Sequence, residues 1–98
     1  MIIDFYATWC GPCKAIAPLF ESLATEYHEI KFVKVDVGVD KTSASYFNVQ
    51  SMPTFIAFVN SEMFQRNVGA NPQSLKELVE LLKASSELDN LIELQDGL

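Results

Sequence analysis

Apolar side chains fill every position from Met1 to Ala7 except Asp4. A run this short and continuous predicts a β-strand covered on both faces rather than a helix. From Pro12 to His28 the period changes: Ile16, Leu19, Phe20, Leu23, Ala24 and Tyr27 keep the i, i+3, i+4, i+7 spacing of an amphipathic helix. Cys13 belongs to its buried stripe, whereas Lys14, Glu21 and Thr25 point to solvent. Pro18 cannot donate a backbone bond and is expected to kink this helix, and His28 is read as an exposed residue at its end, favourable with the dipole. Ile30 to Val37 is a second strand, and a helix between two strands predicts a right-handed unit with the strands parallel.

Asp40 is placed to cap a short helix through Asn48, with Tyr46 and Phe47 on its apolar side. Pro53 opens a strand over Phe55 to Val59, where proline costs no central ladder bond and a cis Met52-Pro53 peptide would be a selected feature. The polar turn Asn60-Ser61-Glu62 leads into Met63 to Val68 and so predicts an antiparallel hairpin. Gly69 at the strand exit marks a backbone expected to come close to something. Asn71 and Pro72 supply a cap and a first-turn proline for a last helix, whose core stripe is Leu75, Leu78, Val79 and Leu82. The order β-α-β-α-β-β-α gives an α/β domain over residues 1–84 with a central mixed sheet of about four strands flanked by helices. An acidic tail, 85–98, follows, with Leu88, Leu91, Ile92 and Leu94 interspersed; it continues the helix, docks on the domain, or belongs to a longer chain.

The chain has 98 residues, enough for one domain with its own core. A formal charge of -6 argues against nucleic acid or an anionic membrane surface as partner. No basic residues precede the first apolar run, as a targeting signal would require, and no segment reaches the roughly 20 apolar residues of a membrane span. Two cysteines placed for exchange suit a reducing compartment, so a cytoplasmic location is expected. The same composition fits a mature domain that has lost a transit peptide.

Candidate chemistry concentrates in Trp9-Cys10-Gly11-Pro12-Cys13-Lys14, which holds the only two cysteines of the chain. A Cys-x-x-Cys at a strand-to-helix junction reads as a redox pair. Cys10 at the helix tip meets unpaired N–H groups and the helix dipole, both of which favour the nucleophilic thiolate. Pro12 suits the first turn, where its missing N–H costs nothing. Cys10 is accordingly the accessible attacker and Cys13 the shielded resolver. Competing readings are a zinc half-site completed between chains, a structural disulfide, and an inert pair in a redox-dead domain. About four ligands are needed for closed zinc coordination, and the chain offers two Cys and one His; so short a disulfide loop would constrain the unfolded chain little.

Asp4 is the anomaly of the first strand. A buried carboxyl without a partner rises in pKa, and six residues before Cys10 it can lie beneath the pair and exchange a proton with a thiol. A structural Asp bonded to a backbone amide is the alternative. Lys34 is either an inward partner that lowers the pKa of Asp4, the two titrating together, or a solvated strand lysine.

Phe5 to Lys14, Met52-Pro53-Thr54-Phe55 and Val68-Gly69-Ala70 together resemble the thioredoxin family, in order and spacing from Ile2 to Lys83. The resemblance implies that Cys10 is the nucleophile, Cys13 the resolving thiol, Asp4 the buried acid-base group and Lys34 its neighbour. It also implies that Pro53 is a cis proline beside the disulfide, and that Trp9, Met52, Pro53 and Gly69 receive the substrate backbone, with Gly11 and Pro12 shaping the pair. The implied activity is a thiol-disulfide oxidoreductase that reduces protein disulfides, with no bound cofactor or metal and with electrons from NADPH through a thioredoxin reductase. Gly-Pro between the cysteines favours a reductant over an oxidase or isomerase; a redox-inactive or weakly active binding module is the reading from another class. Three departures stand out. The strand and helix with which family members usually begin are expected to be missing, Tyr6 stands where many have Trp or Phe, and Asn60-Ser61 replaces a glycine-containing turn. A missing first strand would bare the edge at 30–37, inviting self-association or filling by the 85–98 tail.

Overall fold

A computed structural model of the chain describes the backbone of residues 1–96 and the side chains of residues 1–85. Strand β1 (Ile2–Tyr6) is interior to a four-stranded sheet of order β2-β1-β3-β4. It pairs in parallel with β2 (Phe32–Asp36), Asp4 facing Lys34, and antiparallel with β3 (Thr54–Val59), Asp4 facing Phe55. An interior strand is covered on both faces, which is why its apolar run does not alternate. The expected strand at 30–37 is trimmed at both ends: Ile30 belongs to a turn, its N–H donating to Tyr27 O at 3.0 Å, and its side chain joins the core.

Because side chains alternate along a strand, Ile2, Asp4 and Tyr6 share one face and Ile3 and Phe5 the other. The first face carries the main core, where α1 (Gly11–Glu26) and α3 (Pro72–Asp96) contribute Ile16, Phe20, Leu75, Leu78 and Leu82. The Phe20 ring lies 5.2 Å from Phe32 and 5.8 Å from Phe55. On the second face Ile3, Phe5 and Ile56 pack beneath Phe47 and Val49. These follow α2 (Lys41–Tyr46), which Asp40 caps by accepting the Ser43 N–H at 2.9 Å.

α1 runs unbroken through Pro18. α2 is held at its other end by a contact that no local pattern signals. Arg66 on β4 (Glu62–Val68) donates to the carbonyls of Phe47 and Asn48, bringing a cation to a helix C-terminus. Arg66→Met should therefore cost about 1.5 kcal/mol by chemical denaturation, the order of a hydrogen bond from a charged donor. An unchanged midpoint would mean that solvent replaces these bonds without loss.

The β3–β4 turn has φ of 52° at Asn60 and 67° at Ser61. Two successive left-handed residues mark the type I′ hairpin, which favours glycine at its second position. Ser61→Gly should raise stability by about 0.5 kcal/mol, relief of the left-handed penalty exceeding the added freedom of the unfolded chain; a lower urea midpoint would contradict this.

α3 starts where Asn71 Oδ1 accepts the Ser74 N–H at 3.0 Å, and it buries Leu75, Leu78, Val79 and Leu82. Its backbone stays helical to Asp96. Residues 85–96 therefore extend α3 and do not form a strand on the β2 edge, which corrects the tail-filling expectation. The side chains of Leu88, Leu91, Ile92 and Leu94 lie outside the described residues. Among those described, β2 has a neighbour on one side only, and Phe32, Val33 and Val35 are half-buried.

Candidate active site

Cys10 has an extended backbone, φ -86° and ψ 111°, and is the N-cap of α1. Its Sγ accepts the Cys13 N–H at 3.2 Å, the part a Ser or Asp oxygen plays at other helix starts. The first turn holds no acidic residue. In the reduced protein, a negative charge on this sulfur would meet both the helix dipole and a donated N–H, and each lowers a thiol's pKa. Cys10 and Cys13 are joined as a disulfide with Cα atoms 5.3 Å apart. Both residues are 4% exposed in the oxidised pair, so residue burial does not by itself distinguish them there. Met52 packs against the pair, and its carbonyl oxygen is 3.5 Å from Cys10 Sγ. The asymmetry between them is one of surroundings.

Met52 and Pro53 are joined by a cis peptide, and Pro53 O accepts the Gly69 N–H at 2.9 Å. That bond brings the β4 exit beside the loop over the cysteines. Within the protein a Cβ at Gly69 would meet nothing within 4 Å, so no protein side chain or backbone atom crowds the position. Its φ of +103° is what requires glycine. Trp9 is 74% exposed next to the pair. Trp9, Met52 and the Pro53–Gly69 junction thus border the disulfide, and the exposed Val68 adds a further apolar side chain to the β4 exit.

Asp4 is 1% exposed, and its Oδ1 has no hydrogen-bond partner among the described residues. Burial raises its pKa to about 6, the nearby Lys34 charge opposing that rise. A structural Asp bonded to the backbone is not what Oδ1 shows. A cavity of about 290 Å³ joins this carboxyl to Cys13, with Tyr6, Lys14, Ala17 and Lys34 also in its wall. Cys13, and not Cys10, borders this cavity, so a proton leaving the inner sulfur has an acceptor on the same cavity wall.

Lys34 stands in register with Asp4 but is exposed, and its Nζ lies 4.8 Å from the centroid of the Tyr6 ring. It is a neighbour of the acid whose ammonium rests on an aromatic face. Tyr6 stands two residues after Asp4 and so on the same face of β1, a spacing that is visible in the sequence. His28 lies away from the site, with a side chain 88% exposed near Glu29. The described residues include no group of three or more His, Cys, Asp or Glu able to hold a metal ion.

The family model for thioredoxin matches residues 1–84. Thioredoxin-like protein 1 of Schizosaccharomyces pombe is 48% identical over 88 residues, which cover 88% of this chain and 30% of that protein. Thioredoxin-1 of the same yeast is 46% identical over 76 residues, 78% of this chain and 74% of that protein. Among solved structures, Fasciola hepatica thioredoxin superposes with a TM-score of 0.79 at 42% identity, covering 81% of this chain and 76% of the other. The chain spans less than a third of the first relative and about three quarters of the other two.

Proposed function

The chain belongs to the thioredoxin family, and on that premise we propose that it reduces protein disulfides by dithiol-disulfide exchange. The Cys10 thiolate attacks one sulfur of a substrate disulfide; a mixed disulfide forms, and the other substrate sulfur leaves as a thiolate that takes a proton from solvent. Cys13 then gives its proton to the Asp4 carboxylate and attacks Cys10 Sγ. The second substrate sulfur leaves and is protonated, and the Cys10–Cys13 disulfide remains. Two thiols of the protein have been oxidised and one substrate disulfide reduced. Trp9, Met52, Pro53 and Gly69 receive the substrate backbone in this reading. Electrons return from NADPH through a thioredoxin reductase, and a reducing compartment such as the cytoplasm suits the cycle.

One observation carries the reading: Cys10 caps the helix while Cys13 opens onto the Asp4 cavity. Insulin-disulfide reduction with dithiothreitol tests the chemistry, and repetition with reductase and NADPH tests the electron route. The large exposed face of Trp9 beside the pair, 74% exposed, supports as a second reading a module that docks partners on that surface without turnover. Absence of insulin reduction would select it.

Self-association is the remaining partner in the proposal. The outer N–H and C=O groups of β2 face no strand among the described residues, and such edges pair unless blunted. Sedimentation velocity of the 98-residue chain should show mass rising with concentration. A monomer at every concentration would refute pairing through β2.

A further inference from the structure

The face of β1 that carries Asp4 also carries Tyr6, while β2 sets Lys34 in register with Asp4 and Asp36 in register with Tyr6. From that position an ammonium has two destinations, the buried carboxyl or the aromatic ring. It takes the ring: Nζ is 4.8 Å from the centroid, within cation–π range, and Asp4 Oδ1 has no hydrogen-bond partner among the described residues. We propose that Tyr6 is a positioning residue for the resolving step, its ring face holding the Lys34 ammonium off Asp4 so that the carboxyl stays free to exchange a proton with Cys13. This rests on the proposed reductase reading, in which Asp4 serves Cys13.

Among the described residues, few groups compete for that carboxyl. β2 brings Lys34 and, further along, Asp36, whose Oδ1 is engaged by the Gly38 N–H at 2.9 Å. α1 brings Cys13 and Lys14 to the cavity, and β3 places the uncharged Phe55 in register. Lys34 is the cation whose charge opposes the effect of burial on Asp4. An opposite charge in close contact lowers a carboxyl's pKa by about 1–3 units. An ion-paired Asp4 would be a poor proton acceptor near neutral pH. The Tyr6 hydroxyl plays no part in this, since the ring face alone attracts the ammonium.

NMR titration of the Asp4 carboxyl in the oxidised protein tests the proposal, because there neither cysteine titrates. Tyr6→Leu should lower the Asp4 midpoint by about one unit, and Tyr6→Phe, which keeps the ring, should leave it in place. Lys34→Met should raise the midpoint, and adding Tyr6→Leu to it should cause no further fall. In the wild type the Lys34 ε-methylene protons should be shifted upfield by the ring current, a readout that needs no variant to fold. In the reduced protein, the pH profile for resolution of a mixed disulfide should move down with the midpoint in Tyr6→Leu. Unshifted ε-methylene protons, an Asp4 midpoint untouched by Tyr6→Leu, or a fall that persists without Lys34 would each overturn the proposal. A wild type that fails to reduce insulin would instead overturn the reductase reading, leaving the titration to judge Tyr6 separately.

Discussion

Replacing Cys13 with serine is expected to leave a protein that can attack a substrate disulfide and cannot let it go. The attacking sulfur keeps what favours its thiolate, the helix N-terminus and the residue-13 N–H that it accepts at 3.2 Å. Only the thiol beside the Asp4 cavity is lost, and with it the second displacement. Cys13→Ser should therefore accumulate mixed disulfides on Cys10, visible as adducts on non-reducing gels and released by dithiothreitol. Cys10→Ser removes the nucleophile itself, and turnover should fall by on the order of a thousandfold or more. Equal burial of the two cysteine residues in the disulfide does not weaken this expectation, since reactivity follows thiolate character as well as access. In the reduced wild type, iodoacetamide near pH 7 should label Cys10 well before Cys13. Equal labelling would sink the assignment of the two roles, and adducts that form on Cys13 in Cys10→Ser would reverse it.

Asp4→Ala is expected to make the protein more stable at pH 7 and slower at releasing its substrate. Burial raises the native carboxyl from 3.8 to about 6. Below about pH 4 the folded and unfolded chains are both protonated and the shift contributes nothing. Between about pH 4 and 6 the folded state holds a proton that the unfolded state has lost, so stability falls as pH rises, and above about pH 6 the loss is complete. A shift of two units corresponds to about 3 kcal/mol; the space left by the side chain returns part of that, so a net gain of about 2 kcal/mol at pH 7 is expected. By about pH 4 the gain should be lost and give way to a small deficit, because the space left by the side chain costs stability at every pH. Urea unfolding of both proteins at the two pH values checks the sign, and a variant less stable at pH 7 would show that Asp4 is well bonded. Resolution of the mixed disulfide should slow by about a hundredfold with loss of the proton acceptor, while the first attack on substrate stays near the wild-type rate.

Much of this architecture is legible in simple patterns. The unbroken apolar run of β1 signals an interior strand, the 3.6-residue stripe puts Cys13 on the inner side of α1, and Asp40 and Asn71 cap the helices they precede. Legibility fails where distant residues decide. Arg66 reaches the end of α2 from 18 residues away, and Met52 covers the disulfide from across the fold. A strand period places Lys34 on the Asp4 face but cannot say whether a long, flexible side chain takes the acid or the ring. Sequence alone marks Gly69 as a special backbone position but does not disclose its left-handed φ of +103°. The helical course of residues 85–96 did have a signal: no proline or glycine interrupts the chain between Lys83 and Asp96.

The most direct test is a single turnover. Fully reduced protein is mixed with oxidised insulin without oxygen, dithiothreitol or reductase, quenched in acid and mapped by mass after alkylation. The expected result is loss of both protein thiols together, one insulin disulfide opened for each pair, and a Cys10–Cys13 disulfide in the product. Insulin that stays oxidised while both cysteines remain alkylatable, or that is reduced without that disulfide forming, would contradict exchange through this pair.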